Sequence, residues 1–110
     1  MNDTDANIKV EEDLKQVNDW FNFHRREQKM AFERIENKTT LRPDLHAFNL
    51  LGKLFPVTDG SYINLISDAE CEVVYLSFSS EQISTLSEEN VIELLRCGID
   101  YCGCCLCFWT

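Results

Sequence analysis

The side chains best suited to chemistry are cysteines crowded near the C-terminus. They are Cys97, Cys102, Cys104, Cys105 and Cys107. Thiolates are good zinc ligands, and four of them complete a tetrahedral structural site. Such sites usually take pairs of cysteines from a turn, whereas these cysteines alternate with apolar residues at the period of a strand. The pattern favours buried, structural cysteines with no metal and no other cofactor, and it leaves a thiolate metal-binding regulator and a redox role as alternatives.

Catalysis has little support in the sequence. A nucleophilic cysteine needs a nearby histidine and a lowered thiol pKa. The chain has two histidines, His24 and His46, both on helical patterns, and acidic surroundings raise the pKa of a thiol. The paired carboxylates Glu88 and Glu89 fall at a helix start, where solvated acids are common, and the sequence has no glycine-rich phosphate loop. We therefore expect a protein that is not an enzyme.

The net charge of −9 is concentrated in the second half of the chain. Up to Lys53, ten acids face nine bases, which leaves −1; from Leu54 onward, nine acids face the single base Arg96, which leaves −8. An acidic protein is poorly suited to bind DNA or an anionic membrane directly. A basic-surfaced protein is the partner that this charge predicts, and a protein that binds nucleic acid would present such a surface. The candidate partner-binding acids are Asp68, Glu70, Glu72, Glu81, Glu88, Glu89 and Glu93.

One basic cluster precedes this acidic half. Its members are Arg25, Arg26, Lys29 and Arg34. With Glu27, Glu33 and Glu36 nearby, the cluster is interpreted as a solvated helix face. The alternative is a contact with the acidic half of a neighbouring copy.

A long N-terminal helix must carry that cluster. Residues 1–37 contain apolar positions at alternating spacings of four and three, which predicts a helix over residues 5–37 with one apolar seam. Either the rest of the chain or a second copy must cover this seam. Together with the apolar C-terminal segment, the length of the helix favours a homodimer. The predicted dimer seam consists of Val10, Leu14, Val17, Phe21 and His24.

The remaining elements predict one α+β domain over residues 1–110. A second helix should run over residues 43–55, with Pro43 in its first turn. Residues 62–110 should form a ββαβ unit: a hairpin of strands 62–66 and 71–78 joined by residues 67–70, a helix from the Ser87 cap to Gly98, and a strand over 99–109 with a bulge or turn at Gly103. The two longer helices should pack on this small antiparallel sheet.

The N-terminus has no basic and apolar leader pattern, and the apolar runs are shorter than a bilayer requires. We therefore expect a soluble protein of the cytoplasm that does not interact with membranes.

The segment from Leu86 to Tyr101, followed by Cys105 to Phe108, resembles the end of small acidic proteins encoded by bacteriophages, among which anti-CRISPR inhibitors are found. The resemblance implies a host-directed protein that works by binding, located in the host cytoplasm, and it carries no functional residue with it. The leading hypothesis is an inhibitor whose carboxylates stand where phosphates would lie on a basic groove. The alternatives are that the acids only keep the protein soluble, that the chain is a homodimeric helical adaptor, or that it is a thiolate metal-binding regulator.

Overall fold

The computed structural model describes residues 3–56, 66–70, 73–103 and 105–109, and it confirms an α+β fold. Helix α1 spans Asp3–Gln28, a 3-10 helix spans Phe32–Arg34, and α2 spans Pro43–Leu54. Strands β1 (Ile66–Glu70) and β2 (Val73–Leu76) precede helices α3 (Ser80–Ser84) and α4 (Glu88–Cys97). Strands β3 (Ile99–Tyr101) and β4 (Leu106–Trp109) follow. No helix of these described ranges is long and apolar enough to cross a membrane.

The four strands form one antiparallel sheet in the order β1-β2-β4-β3. The predicted first hairpin is present but shifted along the chain. Residues 67–70, predicted to be its link, lie in β1, where Glu70 pairs with Val73 and Asp68 with Tyr75. Most of the predicted strand 62–66 lies outside the described residues. The link was misplaced because β1 is an edge strand, and edge strands accommodate the polar residues that otherwise indicate a turn.

The predicted final strand is two strands. Gly103 has φ 101° and lies between β3 and β4, which pair with each other in the register Ile99 with Phe108 and Tyr101 with Leu106. A hairpin turn that needs a positive φ favours glycine. The turn anticipated at Gly103 therefore reverses the chain, and the single strand over residues 99–109 is corrected to a hairpin.

Helix α1 ends at Gln28, nine residues before the predicted end at residue 37. Met30 adopts a left-handed conformation with φ 65°, and its N–H donates to the carbonyl of Leu95 at 2.9 Å. Ala31 and Ile35 remain buried, but they do so as the residues that flank the 3-10 helix, with Ile35 in an extended conformation. The apolar spacing therefore indicated burial correctly and indicated helical structure wrongly.

The chain itself covers the centre of the α1 seam. Val17 and Phe21 are buried in the core, where α1 packs against α3 and α4. Helix α4 also contacts α2 and β3, so it packs against both the other helices and the sheet. Its own buried face consists of Val91, Leu94, Leu95 and Cys97. Since Val17 and Phe21 are enclosed by their own chain, the seam predicted for a dimer is corrected at these two positions.

The helix ends follow local signals. Ser87 caps α4 by accepting the N–H of Asn90, as the sequence predicts, and Pro43 opens α2. Ser79 forms the same kind of capping box at α3, a helix that the sequence pattern did not predict. Gly98 ends α4 with φ 96°. A Cβ atom at Gly98 would lie 2.9 Å from Sδ of Met30, so the turn after α1 packs directly on this glycine.

Replacing glycine by alanine should therefore have opposite effects at two positions. Gly98→Ala forces a side chain into the left-handed region and against Met30, and we expect a loss of about 1–2 kcal/mol in the free energy of unfolding. Gly52 lies inside α2, and a methyl group added there would have no neighbouring atom within 4 Å. Gly52→Ala should raise the free energy of unfolding by about 0.5–1 kcal/mol. Urea titration measures both, and a change of the same sign in the two variants would contradict the argument.

Candidate functional site

A cleft between α4 and the residues after the 3-10 helix gathers acidic side chains. Glu89 and Glu93 are one helical turn apart on α4, so they share a face, and Glu36 lies across from them. The cleft has a volume of about 390 Å³. Its lining is completed by Ile35, Asn37, Ile92 and Arg96. We call this the acidic cleft.

Arg96, the one cation among the described residues that line the acidic cleft, donates hydrogen bonds to other parts of the protein. Nε of Arg96 donates to Oε1 of Gln28 at 2.9 Å, and Nη1 donates to the carbonyl oxygen of Arg34 at 3.3 Å. The ion pairs found in the described part of the chain include neither Glu36 nor Glu89. The cleft therefore presents an excess of negative charge to solvent.

Glu93 also holds α2 against α4. Its Oε2 lies 2.9 Å from Nε2 of His46, a side chain that is 3% exposed. The N–H of Thr39 donates to Nδ1 of His46 at 3.1 Å, so Nδ1 accepts and the neutral ring carries its proton on Nε2, which donates to Glu93. One of the predicted partner-binding acids thus has a structural partner.

A second cleft of about 420 Å³ adjoins the acidic cleft and shares Asn37 and Glu93 with it. Oγ1 of Thr39 lies 3.2 Å from Nδ1 of His46, so a hydroxyl, an imidazole and a carboxylate stand in sequence, as in a hydrolase triad. The Thr39 N–H, however, already uses the Nδ1 lone pair that a general base needs. Asn49 Nδ2 donates to the same hydroxyl at 3.3 Å. The arrangement is suited to holding the loop before α2 rather than to activating a nucleophile.

Glu88, at the start of α4, pairs with α1. Its Oε2 lies 2.8 Å from Nε2 of His24, whose ring also packs edge-on against Phe23. The predicted role of His24 in a dimer seam is therefore corrected: its imidazole faces α4 of the same chain. Val10 and Leu14, the other two seam residues, are half-buried.

The other predicted acids lie elsewhere. Glu81 is exposed in the first turn of α3. Asp68 and Glu70 belong to β1, at the opposite edge of the sheet from β3, and Glu72 lies outside the described residues. The structure thus brings Glu89 and Glu93 together with Glu36, a residue that the sequence pattern did not single out as a partner-binding acid.

The basic cluster is not simply a solvated face. Arg25 donates from Nε and Nη2 to the two carboxylate oxygens of Asp100 at 2.8 and 2.9 Å, and Lys29 Nζ lies 3.8 Å from the same carboxylate. The Asp100 side chain is 9% exposed and also accepts the N–H of Tyr101 at 2.8 Å. Sequence reasoning missed this pair. The available signal was Asp100 itself, a lone charge in an apolar segment, because buried carboxylates need a counter-charge.

The four described cysteines divide into two groups. Cys97 and Cys107 are buried, as predicted, whereas Cys102 is exposed and Cys105 half-buried, so the prediction of burial is wrong for Cys102. Burial, with a smaller contribution from Glu93, raises the pKa of Cys97 to about 12. Burial, followed by the charges of Cys102 and Asp100, raises the pKa of Cys107 to about 11. Within the described ranges, no three histidine, cysteine or acidic side chains are grouped so that they could hold a metal ion.

Comparisons with protein-family models, with curated proteins and with solved structures find no match to this chain. The resemblance to small acidic phage proteins therefore stays a prediction. Function is inferred from the geometry and charge of the residues described above.

The Arg25–Asp100 pair gives a first prediction for this region. Arg25→Met leaves a buried carboxylate without its bidentate partner and should lower the free energy of unfolding by about 3 kcal/mol. Arg26→Met removes the same charge from an exposed neighbour and should change it by less than about 0.5 kcal/mol. Urea titration followed by circular dichroism measures both. Equal effects of the two substitutions would show that Asp100 does not depend on Arg25.

Thiol reactivity gives a second prediction. At pH 8 a thiol with a pKa of about 12 is ionised in only about one molecule in ten thousand. We expect brief treatment of the folded protein with iodoacetamide to modify Cys102, and to modify Cys97 and Cys107 only after unfolding in urea. Peptide mass spectrometry locates the modified residues. Modification of Cys97 in the folded protein as fast as that of Cys102 would contradict the burial described here.

Proposed function

We propose that this protein is a small acidic inhibitor that binds a basic, nucleic-acid-binding surface of a host protein. The acidic cleft is the proposed contact. The observation that supports this most directly is the grouping of Glu36, Glu89 and Glu93 around one concave surface, where Arg96, the one cation among its described lining residues, donates hydrogen bonds to Gln28 and to the Arg34 carbonyl. The fold holds these carboxylates together at the cost of their mutual repulsion, and a basic partner would relieve that repulsion.

The proposed binding mode uses both charge and shape. An arginine or lysine side chain of the partner would place its cationic head between Glu36 and Glu89, which have no ion-pair partner in the described part of the chain. Its methylene groups would pack on Ile35 and Ile92, which line the same cleft. Glu93 would contribute its charge while its Oε2 remains with His46. Opposite charges of this kind chiefly accelerate association, so binding should weaken as the salt concentration rises.

The finer parts of the proposal rest on the sequence. The resemblance to phage proteins suggests an anti-defence role of the anti-CRISPR kind in the host cytoplasm. The net charge of −9 makes another protein a better partner than DNA or an anionic membrane. The acids of β1, with Glu72 and Glu81, remain candidates for contacts outside the acidic cleft.

A homodimer through α1 is a second proposal, and it now depends on the N-terminal part of the seam. Ile8 is 47% exposed, and Val10 and Leu14 are half-buried. A second copy packed on these residues would cover them. Ile8→Glu together with Leu14→Glu should convert a dimer to a monomer in sedimentation equilibrium, and a monomeric unmodified protein at micromolar concentration would remove this proposal.

The inhibitor proposal predicts a loss of binding on local charge reversal. Glu36→Lys combined with Glu89→Lys changes the acidic cleft without touching any ion pair of the described residues. Glu11→Lys combined with Glu12→Lys makes the same change in net charge at exposed positions of α1. Host proteins are bound to DNA-cellulose at low salt and eluted with the pure protein or either variant. The host proteins that the unmodified protein elutes should be released at least about tenfold less effectively by the cleft variant. The α1 variant should release them as effectively as the unmodified protein does.

Two results would contradict the proposal. One is that every host protein released from the DNA matrix by this protein is also released by bovine serum albumin, an acidic protein of unrelated structure. The other is that both variants lose release equally, which would make net charge rather than the acidic cleft the cause. Matching urea midpoints for the two variants exclude unfolding as the explanation.

A further inference from the structure

Cys102 and Cys105 face each other across the turn of the β3–β4 hairpin. The register that pairs Tyr101 with Leu106 places Cys102 opposite Cys105 at the next position. The N–H of Cys102 donates to the carbonyl of Cys105 at 3.1 Å, so the backbone ladder continues to this pair. The two Sγ atoms lie 3.4 Å apart.

This geometry is close to that of a disulfide. Directly opposite residues in a hydrogen-bonded antiparallel pair have Cα atoms about 5.5 Å apart, within the range of about 4.4–6.8 Å that disulfides use. Closing the sulfur separation from 3.4 Å to a bond of about 2.05 Å requires side-chain rotation and a small approach of the two Cβ atoms, which lie about 4.5–5.5 Å apart in such pairs and about 3.5–4.5 Å apart in disulfides. Gly103, with φ 101°, already provides the turn beside Cys102.

Access to solvent distinguishes this pair from the buried cysteines. Cys102 is exposed and Cys105 is half-buried, whereas Cys97 and Cys107 are each 1% exposed. A small oxidant can therefore reach Cys102 first. Among the described residues, Sγ of Cys105 lies 3.4 Å from Sγ of Cys102, while the Cys107 thiol, which also interacts with Cys102, is buried and donates to the carbonyl of Asp100 at 3.6 Å.

We propose that Cys102 and Cys105 form a reversible dithiol–disulfide site whose oxidant is a low-molecular-weight disulfide such as oxidised glutathione. The Cys102 thiolate attacks one sulfur of the oxidant, forms a mixed disulfide and expels one glutathione thiolate, which takes up the proton that Cys102 lost. The Cys105 thiolate then attacks the Cys102 sulfur and expels the second glutathione, which takes up the proton of Cys105. In total, the two protein thiols lose two electrons and two protons, and one oxidised glutathione becomes two reduced molecules.

The site is independent of the acidic cleft and of the proposed inhibition. It closes the end of the hairpin that carries Asp100, the partner of Arg25. The Tyr101 hydroxyl donates to the carbonyl of Gly103 at 3.1 Å in the same turn. A bond between Cys102 and Cys105 would tie the two strands together beyond these contacts, so the oxidised protein should unfold at a higher urea concentration than the reduced protein.

The test equilibrates the protein in an equimolar mixture of reduced and oxidised glutathione, quenches it with acid, and alkylates it in denaturant. Intact mass spectrometry then counts the alkylated thiols among the six cysteines. The unmodified protein and the Cys104→Ser variant should each lose two alkylated thiols relative to a fully reduced sample. The Cys102→Ser variant should lose no alkylated thiol through a bond between these two positions. In the Cys105→Ser variant, oxidation should stop at the mixed disulfide between Cys102 and glutathione. Urea titration of the reduced variants shows that each is folded.

Three outcomes would overturn the proposal. The first is no loss of thiols in the unmodified protein. The second is a loss that Cys104→Ser abolishes, since the oxidised pair would then include Cys104. The third is native mass spectrometry showing one zinc ion bound by the reduced protein in a zinc-containing buffer, lost in both Cys102→Ser and Cys105→Ser, which would assign these thiols to a metal.

Discussion

The carboxylate of Asp100 lies in the interior of the protein, and the position of α1 depends on neutralising it. A buried carboxylate is costly unless it is paired and fully hydrogen-bonded. Two donors of the Arg25 guanidinium and the N–H of Tyr101 meet this requirement, with the Lys29 ammonium group close by. Because Arg25 is in the last turn of α1 and Asp100 is in β3, the pair fixes where α1 crosses the end of the hairpin. The ring of Phe21 also packs on Tyr101 of β3. This apolar contact fixes the position of α1 less strictly than the Arg25–Asp100 pair, because a bidentate pair requires a defined geometry.

Helix α4 joins α1 to α2 through its charged side chains, and it carries two of the three acids of the acidic cleft. Its side chains reach α1 through Glu88 and Arg96 and α2 through Glu93, while its buried face contacts the core. The carbonyl of Leu95 accepts the N–H of Met30, so the end of α4 also positions the turn after α1. The acids of α4 are therefore not equivalent. Glu88 and Glu93 hold other elements in place, whereas Glu89 has no ion-pair partner among the described residues.

The elements that the sequence predicts correctly are those with local causes. Ser87 and Gly98 mark the ends of α4, and Pro43 marks the start of α2, because caps and fixed φ angles act within one turn. The end of α1 has no such signal: Ala31 and Ile35 keep the apolar spacing, whereas Met30 adopts a left-handed conformation and donates its N–H to the Leu95 carbonyl of α4. The Arg25–Asp100 pair joins residues 75 positions apart, and the place of Glu36 beside Glu89 depends on the same tertiary packing. The acidic cleft could not be found before the fold was known.

The distribution of these charges bears on whether acidity here serves only solubility. Solubility requires net charge at the surface and is served best when like charges are spread apart, because repulsion between neighbours destabilises the folded state. Glu36, Glu89 and Glu93 are instead grouped at one concavity, and Arg96, the one base after Leu54, is held by Gln28 and the Arg34 carbonyl. Ile35 and Ile92 line the same concavity, where solubility would favour polar side chains. A surface that combines net negative charge with apolar walls is suited to a cationic side chain on a methylene stem, and this combination favours binding over solubility alone.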